Sequence, residues 1–370
     1  MKSLSMRNRC VIGFTLFSMF FGAGNLIFPP LLGAEAGSST ILAMVGMVLT
    51  AVVLPVLAVM SVAKHDGLKN LAGSIHPAFA TVYAVLIHLL IGPFVAIPRT
   101  ASTSFEMAVV PFLSDGVSAE SLLIMRCIYS FIYFVIATMV ALKPTRLKDL
   151  LGKVMTPILL ILIAVIFVGV VVKFPTVVRQ ADASYKGHAL QHGFVTGYQT
   201  MDILAAFNFG AVIAMNIEAF GVKNRKGVAK ETILAGIGAG ILLCIVYSAT
   251  AYIGVLCSSK VGNVENGTQI LTYAVHACFG IYGKVLIGII FFIACFNVCV
   301  GLLCCCSAYF HELVPKISYL KWLLVFSVFS FVISCAGLNA ILNVSLPILK
   351  VMCPIAIALT FYGLIRRKRQ

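Results

Sequence analysis

The chain has 370 residues, of which 61% are hydrophobic and only 11% charged, and its mean hydropathy is +1.06. These values exclude a water-soluble domain, because there is too little polar surface to cover one of this size. The formal net charge of +15 does not mark a nucleic-acid binder: the basic residues fall in short clusters between apolar runs, the distribution of a multi-pass protein whose partner is the lipid bilayer.

The first apolar stretch, residues 10–37, reads CVIGFTLFSMFFGAGNLIFPPLLGAEAG. Lys2, Arg7 and Arg9 precede it and Ala34-Glu35-Ala36 imitates a cleavage box, but the run is too long for a signal peptide and contains Asn25 and two prolines. It reads as a retained span interrupted at mid-depth by Gly22-Ala23-Gly24-Asn25. Glycine is costly in a helix, and Pro29-Pro30 removes two backbone donors. Free amides and carbonyls are tolerated in hydrocarbon only where they are buried in protein or line a polar cavity. Two half-helices facing a binding site fit this, as does a kinked helix packed closely through small residues.

At ~20 apolar residues per span, ten spans follow in order: 11–32, 40–62, 78–98 or beyond, 121–142, 154–173, 197–221, 232–257, 284–307, 322–338 and 342–365. Placing both termini inside puts most of the 27 basic residues in inner segments, including those at Lys143, Arg146, Lys148 and Lys153 and the tail from Arg366 to Arg369. The third span is long, with barely a polar interruption between residues 78 and 113 except around Arg99. Residues 174–196 form the longest polar loop, and His188 and His192, without a third ligand nearby, read as solvated loop residues. Span six opens on Gly197-Tyr198-Gln199-Thr200-Met201-Asp202 and has a second interruption at Asn208-Phe209-Gly210. Residues 258–282 make another outer loop, with room for a surface helix.

The expected fold is therefore all-α and integral to the membrane: ten transmembrane helices in a five-plus-five inverted repeat with helices 1 and 6 broken. Residues 1–173 form the first repeat, 174–196 the outer loop and 197–370 the second, inverted repeat. An odd number of spans per half forces the inversion, and paired broken helices point to a midplane site.

Several polar groups are candidates for that site. Asp202 either meets an ammonium or a coupling cation, or caps a half-helix. Asn25 offers a carbonyl oxygen for a hard cation, and the amides of Ala23 and Gly24 suit a carboxylate at a helix N-terminus. Phe20, Phe21, Phe207 and Phe209 flank the breaks and can wall an apolar pocket. Arg99 and Glu106, seven apart on one helix face, are expected to pair, as a static bridge or a gate. Asn297 supplies a cation oxygen or binds a neighbouring helix, and Lys350 snorkels outward or stands where a cation sits. The twelve cysteines lie mostly inside apolar runs and show no CxxC, so they behave as small hydrophobes and imply no transition metal; Cys257 and Cys278 are a candidate outer disulfide. No HExxH or GxSxG appears, which argues against an enzyme.

Four blocks carry a resemblance: FFGAGNLIFPPLLG in span one, IGPFVAIPRTASTSFE in span three, GYQTMDILAAFNFG in span six and GLNAILNVSLPIL before span ten. They resemble the bacterial branched-chain amino acid carriers, the BrnQ-type family. The resemblance implies a secondary transporter importing leucine, isoleucine and valine with sodium across the bacterial cytoplasmic (inner) membrane; a proton is the alternative coupling ion, and no cofactor is expected. By the same resemblance Ala23, Gly24 and Asn25 contact substrate and cation, and Tyr198, Asp202 and Phe207 line the facing half-helix as further substrate contacts; Ser18, Phe21 and Asn297 are expected beside Asn25 as cation ligands. Family members usually carry paired threonines where this chain has Asn297-Val298, and commonly two further spans after the tenth. A non-transporting receptor of the same fold is the alternative, and no motif sets an oligomeric state.

Overall fold

The computed structural model describes residues 4–65, 67–113, 116–261 and 267–366. Lys2 and residues 367–369, counted above among the inner basic clusters, lie outside the described residues. Those described are almost wholly helical, with no strand among them. Among the described residues seven helices are long and apolar enough to cross a membrane, or up to nine if each bent pair is one span.

Helix α1 (Met6–Phe20) stops at Phe21 and Gly22, whose backbones are extended, and α2 (Ala23–Ala36) resumes directly. The interruption is thus two residues long, and Ala23, Gly24 and Asn25 form the first turn of the second half-helix. Pro29 and Pro30 sit inside α2. Helices α3 (Thr40–Val48) and α4 (Leu54–Lys64) are joined by a π-helical turn, and the short α5 (Leu68–Gly73) follows.

The long third span is α6 (Pro77–Leu89) and α7 (Ala96–Ala108), kinked between them where Gly92 leaves helical geometry and Pro93 has no N–H to give. Helices α8 (Ala119–Ala141) and α9 (Thr156–Lys173) complete the first half of the chain. Val168 and Val172 of α9 and Ile132, Ile136 and Met139 of α8 are exposed at helical spacing, faces suited to lipid.

The second interruption differs from expectation in two ways. Residues 189–196, assigned above to the outer loop, fold with Gly197 and Tyr198 as α10 (Ala189–Tyr198). Its apolar signal is thin because small residues do the packing: a Cβ on Gly193 would stand 1.8 Å from the Ala43 carbonyl of α3, while Gln191 and His192 face outward. The break itself lies at Gln199–Met201, where Met201 is left-handed (φ 66°), and α11 (Asp202–Glu218) leaves at 41° to α10. Asn208-Phe209-Gly210 does not interrupt α11; one helical glycine costs only about 1 kcal/mol, and Gly210 here lies against Val62 of α4.

Helices α12 (Arg225–Val261), α13 (Gly267–Phe279), α14 (Ile281–Leu313), α15 (Tyr319–Ser334) and α16 (Leu338–Ile365) complete the fold, α13 being the helix within the second expected loop. Between α2 and α12 two glycines permit backbone contact. A Cβ on Gly33 would lie 1.9 Å from the Ala251 carbonyl, and one on Gly254 2.0 Å from that of Pro30. This crossing presses the C-terminal half of α12 onto the first interrupted helix.

Candidate functional site

The two interruptions meet. Asp202, first residue of α11, is buried, and its Oδ2 accepts a hydrogen bond of 2.7 Å from Asn25 Nδ2 in the first turn of α2. Tyr247, brought in by the α2–α12 crossing, donates its hydroxyl to the same Oδ2 at 3.0 Å and accepts a second hydrogen bond from Asn25 Nδ2. Asn25 Oδ1 in turn accepts from Gly22 N at 3.0 Å, so one amide side chain closes the break in its own helix and reaches the other break. Both α2 and α11 begin here, so two positive helix ends converge on the carboxylate.

Beside this triangle is a cavity of about 40 Å³ lined by the first turn of α2, Thr200, Met201 and Asp202, with Val298 and Leu302 of α14 opposite. Arg99 of α7 also lines it and is itself buried. The expected pair between Arg99 and Glu106 is not made, because seven residues of helix separate them by about 10 Å along the axis and each finds a partner elsewhere. Glu106 pairs with Arg126 of α8 at 3.2 Å, whereas Arg99 turns inward, donates a long hydrogen bond of 3.4 Å to the Gln199 carbonyl and stands over the Phe28 ring at 6.0 Å. Among the described residues no carboxylate is within ion-pair distance of Arg99. Gly24 leaves room for it: a Cβ there would come within 2.3 Å of Arg99 Nη2.

Of the residues expected at the site, Ala23, Gly24, Asn25 and Asp202 share this cavity. Tyr198, the last residue of α10, instead meets Phe194 edge-on at 5.1 Å, and Phe207 is buried in α11 away from the lining. Phe21 is stacked between Phe17 and Tyr247, and Ser18 Oγ donates to the Thr15 carbonyl. Asn297 of α14 is fully buried with both amide atoms unpartnered, and its neighbour Val298 faces the first break, its Cγ2 lying 2.8 Å from where a Gly22 Cβ would be. Lys350 is exposed on α16, outside the cavity lining. Cys257 and Cys278 are both free thiols, and His192 packs on Tyr185 at 5.2 Å.

The sequence reading missed Tyr247 and the inward turn of Arg99. Tyr247 did carry a signal: a hydroxyl in mid-span within ILLCIVYSATAYIG has to find a partner.

Comparison with known proteins agrees with this architecture. A solved structure of Mhp1, described as a nucleobase-cation-symport-1 family transporter in a closed conformation with bromovinylhydantoin bound, superposes with a TM-score of 0.63 at 14% identity. It covers 98% of this chain and 79% of that one. At that identity the likeness is one of fold. The branched-chain amino acid permease BrnQ of Bacillus subtilis (strain 168) is 38% identical over 362 residues, 97% of this chain and 81% of the permease. The family described as branched-chain amino acid transport protein matches residues 5–370. The chain therefore belongs to this family of membrane transporters, whose named members are permeases and carriers rather than enzymes.

Proposed function

We propose that the chain imports leucine, isoleucine and valine together with a cation, using ten spans in a five-plus-five inverted repeat with both termini on the cytoplasmic side of a bacterial inner membrane. One observation carries the reading: Arg99 and Asp202, two buried opposite charges, line one cavity without forming an ion pair with each other. Buried charges are expensive unless paired. A zwitterionic amino acid supplies both missing counter-charges, its carboxylate to Arg99 and the amides opening α2, its ammonium to Asp202.

The cavity has room for about three waters, so its walls must part to admit an amino acid. Rocking of one helix bundle against the other about this fixed point supplies that opening. The apolar wall of Phe20, Met19 and Leu302 suits an aliphatic side chain. One methylene in such a pocket is worth about 1–3 kcal/mol, so the three branched-chain substrates compete.

For the cation, sodium or a proton, the support is Asn297. Leaving a buried amide unpartnered costs about 1–3 kcal/mol, and Asn297 sits one residue from Val298, which faces the end of α1. Oxygens of Ser18, Phe21, Asn25 and Asn297 are of the chemical kind that suits a hard cation, and these four residues are the proposed ligands. Val298 supplies no oxygen against Gly22, and this favours the second reading, a receptor that binds the amino acid without accumulating it.

Counterflow of labelled leucine in proteoliposomes, with sodium and pH varied independently, tests both. Exchange above empty vesicles under one of the two gradients supports transport. Exchange equal to empty vesicles under every condition overturns it, and binding without exchange selects the receptor.

A further inference from the structure

Beyond the small midplane cavity, a chamber of about 890 Å³ opens among the ends of α7, α8, α13, α14 and the turn joining α15 to α16. We propose that this chamber is a second binding site for a zwitterionic amino acid, loaded before the midplane cavity. The proposal rests on the transport reading above and adds a site to it.

The two charges that a zwitterion requires are already there. Glu106 and Arg126 both line the chamber and touch through a single contact of 3.2 Å, Arg126 Nη2 to Glu106 Oε1. Arg126 is held in place by its surroundings: it lies 5.7 Å from the Phe105 ring and against the left-handed Gly337, where a Cβ would fall 2.7 Å from Nη1. Its Nε is buried without a partner. A guanidinium offers a planar fork of donors matched to a carboxylate, and the observed single contact leaves that fork unfilled. An amino acid inserted between the pair gives its carboxylate to Arg126 and its ammonium to Glu106, so each charge exchanges one charge-assisted bond for another. Burial of the side chain against Met107 and Leu338 then supplies the net gain.

The chamber also points at the midplane site. Thr103 lines its floor with a buried, unpartnered hydroxyl, and lies one turn from Arg99 on the same face of α7. Four residues of helix span about 6 Å. Glu106, Thr103 and Arg99 thus form a polar track from the chamber to the midplane cavity, with Arg99 at the threshold.

The test is the number of labelled leucines bound per chain at equilibrium dialysis, using the purified full-length protein in lipid nanodiscs. The wild type is expected to bind two, in a biphasic isotherm. The double variant Glu106→Gln/Arg126→Gln is expected to bind one, with the remaining affinity unchanged, and Arg126→Lys to weaken the outer site about tenfold, the value of one charge-assisted bond. Asp202→Asn is expected to lose the other site instead. A wild type that binds one leucine, lost in Asp202→Asn and untouched in Glu106→Gln/Arg126→Gln, overturns the second site and leaves the transport reading standing. No binding by the wild type overturns both, and a wild-type count below two overturns the second site whether or not a variant folds.

Discussion

Asn25 and Asp202, 177 residues apart in the chain, are joined by a hydrogen bond of 2.7 Å between the first turns of two interrupted helices. The bond ties the two breaks to each other. Tyr247 makes the arrangement a closed triangle.

Replacing Tyr247 by Phe removes one donor to a buried carboxylate and one acceptor for Asn25. A hydrogen bond to a charged group is worth about 1.5–3 kcal/mol. We expect leucine exchange to fall about tenfold or more with the protein still folded, read from counterflow beside thermal unfolding. Wild-type exchange in Tyr247→Phe would show that the third corner of the triangle is dispensable.

Arg99 is expected to read the carboxylate. Lysine keeps the charge but not the fork, so Arg99→Lys should weaken leucine binding about tenfold, and Arg99→Gln more. The sharper measurement compares leucine with leucinamide, which lacks the carboxylate. Wild type should discriminate strongly and Arg99→Gln weakly; undiminished discrimination in Arg99→Gln would remove the assignment.

Gly254→Ala drives a methyl group into the Pro30 carbonyl, 2.0 Å from the ideal Cβ position. Overpacking of this kind costs about 1–3 kcal/mol. The displaced α12 carries Tyr247 with it, so the melting temperature and leucine exchange should fall together. Gly238→Ala, on the same helix but facing open space, is the control and should change neither.

Arg9 grips Glu231 with two hydrogen bonds, of 2.7 and 2.9 Å, tying the start of α1 to α12. Glu231 is 2% exposed and Arg9 29%, so the two deletions are unequal. Arg9→Gln leaves a buried carboxylate with only the Leu4 amide, at 3.3 Å, of its observed partners, whereas Glu231→Gln releases a guanidinium able to reach solvent. The first should lower the melting temperature more than the second, by a margin on the order of 1–3 kcal/mol in stability. Equal shifts would mean that burial of Glu231 does not set the cost.

Much of this protein was legible in one dimension because the bilayer imposes simple rules. Long apolar runs must become helices, and glycine with asparagine at mid-run must mark a break facing protein or a polar cavity. These rules located the first interruption and the polar opening of the second, and named Asn25 and Asp202 among the candidates that the structure joins. They failed where a helix packs through glycine, so α10 looked like loop. They failed again at Asn208-Phe209-Gly210, where a polar residue and a glycine are accommodated in an unbroken helix.

Composition and pattern alone determined that the chain is a membrane helix bundle with paired interruptions, since burial and backbone satisfaction are local demands that each segment must meet for itself. Which charge meets which was decided only by the tertiary structure. Arg99 and Glu106 share a helix face, yet a guanidinium's choice between Glu106 and the Gln199 carbonyl depends on helices about 20 to 100 residues away along the chain. Tyr247 reaches Asp202 because two glycines let α2 and α12 touch, a contact that no periodicity within either helix contains.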